Sequence, residues 1–245
     1  MRGGEGVVGN GSEEVLEIAF LAFCDGEHGA VMPDISYGLY PIYCDLFRAP
    51  ARRIPLNEDF SLPVEAFLGA EGMVVFANPN APTGIALSLE QVERIVAANP
   101  GNVVLADEAY VDFGAETALP LLKRFPNLLI VRTFSKSRSL AGGRIGYALA
   151  DEGLIADLER VRGSFHPYNI NRLSMLCGVE AMKDADYFEA CRQAVMEQRE
   201  ATAKELSRLG FFLTDSKANF LFAGHPALTG EEYYRRLREK GVLVR

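Results

Sequence analysis

Short, nearly unbroken apolar runs alternate with amphipathic stretches through the first two thirds of the chain. The runs at 29–32, 52–56, 72–77, 102–106, 127–132 and 144–150 read as strands, since short apolar segments bounded by Gly, Pro or Asn suit a buried sheet. Between them, 12–23, 37–47, 88–98, 117–125 and 151–161 read as helices, with Ser12 and Ser88 as N-cap residues followed by acids that suit a helix's positive end. Such alternation needs crossover connections, so the expected fold class is α/β with a mostly parallel sheet. Beyond His166-Pro167 the pattern changes to long helices at 171–182 and 185–209, two short strands and a helix at 229–240. The expected division is therefore a large unit, 1–165, and a smaller, partial α+β unit, 166–245. Gly241 to Arg245 reads as a strand entering a sheet with nothing after it, and Gly6 to Gly11 leads into a helix with no arm before it. Both features point to truncation at the two ends.

Composition narrows the function. At 245 residues and 49% hydrophobic, the chain can bury a sizeable core. A formal charge of −8 and a pI near 5.1 argue against nucleic acid or an anionic membrane surface as partner, because both need a basic face. A small metabolite fits better. Cys24, Cys44, Cys177 and Cys191 form no C-x-x-C pair and read as reduced thiols of a cytoplasmic protein. His28, His166 and His225 are scattered, so no metal site is expected. Met1 to Gly6 lacks an apolar leader, and no run approaches the roughly 18 apolar residues of a membrane span.

Candidate chemistry centres on Lys136, in the run Thr133-Phe134-Ser135-Lys136-Ser137-Arg138-Ser139-Leu140-Ala141-Gly142-Gly143-Arg144. A lysine among hydroxyls, beside a glycine turn and ahead of an arginine, suits Schiff-base formation with an aldehyde and a guanidinium that holds a phosphate. Pyridoxal phosphate has both handles. By itself the run would pass for a basic surface loop. Asp107-Glu108-Ala109-Tyr110 follows the apolar run Val103 to Ala106, at the strand end where open α/β sheets bind ligands. A carboxylate there can pair with a protonated ring nitrogen, and Tyr110 can hydrogen-bond the ring's phenolic oxygen. Asn78-Pro79-Asn80-Ala81-Pro82-Thr83-Gly84 is a second loop after a strand. Gly9-Asn10-Gly11-Ser12-Glu13-Glu14 puts small residues at a helix start, where free N–H groups make an anion site. A dinucleotide fingerprint would need a third glycine where Glu14 stands.

With these segments in this order, the chain resembles the fold type I pyridoxal-phosphate enzymes, and most closely bacterial histidinol-phosphate aminotransferases. Ile35-Ser36-Tyr37-Gly38-Leu39-Tyr40 and Asp107 to Phe113 add to the likeness, which spans nearly the whole chain. The resemblance implies that Lys136 binds the cofactor covalently, Asp107 faces its ring nitrogen, Tyr110 its ring oxygen and Tyr37 its pyridine face. It implies that Thr133, Ser135 and Arg144, with backbone groups of Ser12 and Glu13, hold the phosphate, and that Arg245 contacts the substrate's phosphate. The implied enzyme is a cytoplasmic homodimer of histidine biosynthesis, exchanging an amino group between glutamate and imidazole acetol phosphate. Lys136 would move the proton from the substrate's α-carbon. The family's asparagine before Pro-Thr-Gly is Ala81 here, for which Asn80 is a candidate substitute, and Gly143 replaces a usual leucine. The N-terminal arm and a C-terminal substrate-binding arginine of the family have no counterpart in this sequence. Two alternatives stand beside the aminotransferase: a phosphothreonine decarboxylase-like enzyme of the same fold, and a structural remnant without turnover.

Overall fold

A computed structural model of the chain describes residues 6–245; the reading of Met1 to Gly6 as lacking a leader concerns, apart from Gly6, residues outside that range. In chain order come β1 (Gly6–Asn10), α1 (Ser12–Phe23), β2 (Ala30–Pro33), α2 (Leu39–Phe47), β3 (Ala51–Ile54), β4 (Met73–Ala77) and α3 (Leu89–Ala98). Then follow β5 (Val104–Asp107), β6 (Leu128–Thr133), β7 (Ile145–Leu149), α4 (Glu152–Phe165), α5 (Arg172–Lys183) and α6 (Ala185–Arg208). The small strands β8 (Phe212–Leu213) and β9 (Ala223–Gly224) pair with each other before α7 (Gly230–Glu239).

The main sheet has seven strands in the order β1-β7-β6-β5-β4-β2-β3. Strands β3, β2, β4, β5 and β6 are parallel, while β7 is antiparallel to both its neighbours, so the sheet is mixed and mostly parallel. Its central strands are buried on both faces, which is why they read as unbroken apolar runs rather than alternating ones. Along β4, Met73 and Val75 point into one core with Leu16, Phe20 and Tyr40, while Val74 and Phe76 point into the other with Val92, Ile95 and Phe67. The parallel register sets Ala77 beside Asp107, and Asp107 beside Val131. Three strands therefore end at one edge, and their loops carry the candidate chemistry.

Four expectations need correction. First, Gly6 to Asn10 is not a bare lead into a helix but an edge strand paired with β7, a long-range pairing that its glycines conceal. Second, the N-cap of α1 is Gly11, at φ 85°, without a side-chain cap bond; Ser12 is already helical. Third, the helix expected over 117–125 shrinks to a 3₁₀ turn at Leu119–Lys123, where Pro120 removes a backbone donor and the Thr117 hydroxyl is drawn to Glu108. Fourth, Gly241 to Arg245 forms no strand: the Gly241 and Val242 N–H groups turn back to the Arg238 and Leu237 carbonyls at the end of α7, and the Val242 and Leu243 side chains are exposed.

Candidate active site

Asp107 ends β5 and is buried, at 4% exposure. The Tyr40 hydroxyl donates to Oδ2 at 2.8 Å and the Ala109 N–H to Oδ1 at 3.1 Å. Burial pushes the Asp107 carboxyl up to about 6 and outweighs the Tyr40 and Ala109 hydrogen bonds and the positive Lys136, all of which act downward. A carboxylate accepts about four hydrogen bonds, so two protein donors leave room for a cationic N–H. Tyr40 reaches this place from α2, one turn after Tyr37, and the two rings meet edge to face at 5.6 Å. The Tyr37 hydroxyl donates to Glu13 Oε1 at 3.2 Å; burial first, and the Glu13 charge next, lift it above the ordinary phenol range.

Lys136 follows β6 in a turn closed by the Ser139 N–H to its carbonyl at 3.1 Å. Its Nζ lies 5.1 Å from the centre of the Tyr110 ring, and among the described residues it has no ion-pair partner. Ser137 Oγ donates to Asp112 Oδ2 at 2.5 Å, tying the turn to the loop that carries Tyr110. Tyr110 in turn packs edge to face on Phe220 at 5.1 Å. Thr133 Oγ1, buried at the end of β6, accepts the Ser135 N–H at 3.1 Å and donates to the Ile145 carbonyl at 3.4 Å.

The opposite wall is the start of α1. The backbone of β7 runs so close that a Cβ on Gly146 would fall inside the contact radius of the Ser12 nitrogen and the Gly11 carbonyl carbon. Arg144, in left-handed conformation at φ 50°, lies over Gly11 and donates from Nη2 to Glu13 Oε2 at 2.6 Å. The first turn of α1 thus offers N–H groups without a side-chain cap, with a guanidinium beside them. That is a built anion cradle. An uncapped helix start with an arginine, a lysine amine without an ionic partner and a buried carboxylate with spare acceptor sites are what a phosphate-bearing pyridine aldehyde requires.

Ser12, Glu13, Tyr37, Asp107, Tyr110, Thr133, Ser135, Lys136 and Arg144 therefore converge on one edge of the sheet. Arg245 does not join them: it is exposed, and no ion pair of the described residues includes it. Asn80 is not free to replace the missing asparagine. Its Nδ2 donates to the Ile35 carbonyl and Thr83 Oγ1, and its Oδ1 accepts from Ser36 Oγ at 2.7 Å, so its amide holds the loop together. Sequence reasoning missed two residues, Tyr40 and Glu108. Buried Glu108 accepts from Arg132 Nη2 at 2.7 Å, from Thr117 Oγ1 at 2.8 Å and from the Ala118 N–H at 2.5 Å, anchoring the loop after β5. Glu108 was signalled only by an acid next to a strand end, and Tyr40 only by its spacing from Tyr37.

An α/β fold with a lysine, a carboxylate and an anion cradle at the carboxyl edge of its sheet defines a class, the pyridoxal-phosphate-binding transferases. The chain belongs to the aminotransferase class I and II family, whose model matches residues 3–245. It is 48% identical over 238 residues to a histidinol-phosphate aminotransferase of Lactococcus lactis subsp. cremoris, covering 97% of this chain and 67% of the relative. A protein of the same name from Chromohalobacter salexigens is 49% identical, with 97% and 68% covered. The chain spans about two thirds of the length of these relatives. Among solved structures, the histidinol-phosphate aminotransferase of Clostridium acetobutylicum superposes with a TM-score of 0.90 at 22% identity, over 98% of this chain and 73% of that one. That of Sinorhizobium meliloti, in complex with pyridoxal-5′-phosphate, gives 0.88 at 24%, over 99% and 68%. These two likenesses bear on the fold.

Proposed function

We propose that the chain transfers an amino group between glutamate and imidazole acetol phosphate, with L-histidinol phosphate and 2-oxoglutarate as the other pair. The observation that carries the chemistry is the meeting of Lys136, Asp107 and the Gly11–Arg144 cradle at one sheet edge; the substrate rests on the 48% identical relative. When bound, the cofactor supplies an electrophilic carbonyl carbon and a ring that withdraws electrons from the substrate's α-carbon.

The chain's own residues do the rest. Arg144 and the first N–H groups of α1 bind the phosphate, with the Thr133 and Ser135 hydroxyls beside them. Asp107, as the carboxylate, would keep the ring nitrogen protonated. Tyr110 would serve the ring oxygen without help from Asn80, whose amide is engaged in its own loop, and Tyr37 would lie against the ring. Lys136 Nζ is the amine that would hold the cofactor, and as base and then acid it would move the substrate's α-proton. Residues 1–165 form the cofactor-holding part in this reading. Residues 166–245 support it through Phe220 on Tyr110 and through Arg199, whose Nη1 donates to the carbonyls of Phe113 and Ala218, both at 2.8 Å.

Within the same reading the protein is a cytoplasmic homodimer. Four free cysteines suit a reducing compartment. No helix of the described residues is long and apolar enough to cross a membrane. Exposed Leu173, Leu176, Val179 and Met182 on α5, near exposed Phe165 and Tyr168, suit a second copy. The test is an amino-transfer assay on the chain loaded with pyridoxal phosphate. Glutamate formed from 2-oxoglutarate only when histidinol phosphate is added supports the proposal. Carbon dioxide release from phosphothreonine, or cofactor bound with no transfer, contradicts it.

A further inference from the structure

The Tyr40 side chain is wholly buried, yet its hydroxyl lies 2.8 Å from one oxygen of a buried carboxylate, bridging α2 to the end of β5. A buried phenol needs an acceptor, and many backbone carbonyls would serve. Tyr43 on the same helix uses one, donating to the Glu13 carbonyl at 3.0 Å. We propose that Tyr40 is a positioning residue for Asp107: its hydroxyl engages Oδ2, keeps the carboxylate charged in an apolar site, and leaves its remaining acceptor sites to a cationic ring N–H. The assignment of the ring nitrogen to Asp107 rests on the proposed function, whereas the hold of Tyr40 on Asp107 does not.

Three features support it. The Tyr40 ring is fixed by packing, with Phe20 at 6.3 Å and Tyr37 at 5.6 Å between centroids, so the hydroxyl is delivered by a rigid body. The other fixed donor is the Ala109 N–H on Oδ1, which leaves Oδ2 to Tyr40 alone among the described residues. The titratable groups around the pair are Tyr37 just before α2, Tyr43 from α2, Glu108 and Tyr110 from the loop after β5, and Lys136 from the loop after β6. Burial drives the carboxyl toward its neutral form, and the Tyr40 hydrogen bond is the first influence that opposes it. A neutral Asp107 could not balance a pyridinium, so losing the phenol would weaken the charge pairing without removing the carboxyl.

The experiment follows Asp107 by carbon-13 NMR of carboxyl-labelled chain without cofactor, its signal assigned by loss in Asp107→Asn. Tyr40→Phe keeps the ring and deletes the donor. Its expected effect is a rise of about one pH unit in the Asp107 midpoint, the worth of one hydrogen bond to a charged group. Tyr43→Phe, which loses a hydroxyl on the same helix, leaves the midpoint in place. An unchanged midpoint in Tyr40→Phe, or equal shifts in both variants, overturns the proposal. If Tyr40→Phe does not fold, 3-fluorotyrosine at position 40, a stronger donor, reads the same bond in the other direction. It lowers the midpoint if the proposal holds and leaves it unmoved if it does not. Because no cofactor is present, a negative result here is separate from failure of the amino-transfer assay.

Discussion

Burying an acid at the end of β5 has a cost that the pH dependence of stability reveals. The Asp107 carboxyl, held near 6, lies above its unfolded value of 3.8, so the folded chain binds the proton more tightly than the unfolded one. Its contribution to stability is full below about pH 4 and lost as pH rises through 6, amounting to about 3 kcal/mol by pH 7 without cofactor. Urea unfolding of the wild-type chain and Asp107→Asn at pH 4.5 and 7 checks this: the variant gains relative to wild type at the higher pH. Gly146 meets a harder limit, since a Cβ would strike the Ser12 nitrogen. Gly146→Ala is expected to cost about 1–3 kcal/mol by overpacking and to weaken phosphate binding at the start of α1, read by thermal unfolding and cofactor titration. Lys136, Asp107 and Arg144 were legible in the sequence because each combines a reactive group with a telling neighbourhood. Tyr40 was not, because its partner is distant in sequence and only the fold unites them. Asn80 misled for the related reason that an amide in a loop does not announce which carbonyls it will hold.

At the scale of elements, the loop after β5 is held by charge as well as by the burial of Val111 and Phe113. Glu108 and Arg132, at 0% and 16% side-chain exposure, form an ion pair at 2.7 Å with Thr117 bonded to both. Removing one partner strands the other, so Glu108→Ala is expected to cost about 3 kcal/mol or more and to loosen cofactor binding through Tyr110, as measured by denaturant midpoint and by titration. Strands β4, β5 and β6 were readable because burial on both faces leaves an apolar run with no alternation. Helices α1 and α3 were readable from spacing, and α3 does carry the Ser88 cap, whose hydroxyl accepts the Gln91 N–H. The edge strand β1 escaped, since its glycines suggest a turn and its pairing to β7 is tertiary. The 117–125 segment escaped because the pull of Glu108 on Thr117 outweighs helical spacing.

For the whole molecule, the sheet edge gathers the site while α5 leaves an apolar face exposed, with Leu176 at 57% and Val179 at 52%. Sedimentation is expected to show a dimer that Leu176→Glu weakens; a monomer at all concentrations contradicts that reading. The proposed function turns on Lys136 taking an aldehyde cofactor in a site that Arg144 and Asp107 complete. Its most direct test is borohydride reduction of the chain mixed with one equivalent of pyridoxal phosphate, followed by peptide mass spectrometry. One phosphopyridoxyl group is expected on the peptide containing Lys136, absent in Lys136→Ala. Label spread over surface lysines, or unchanged by that substitution, would contradict it.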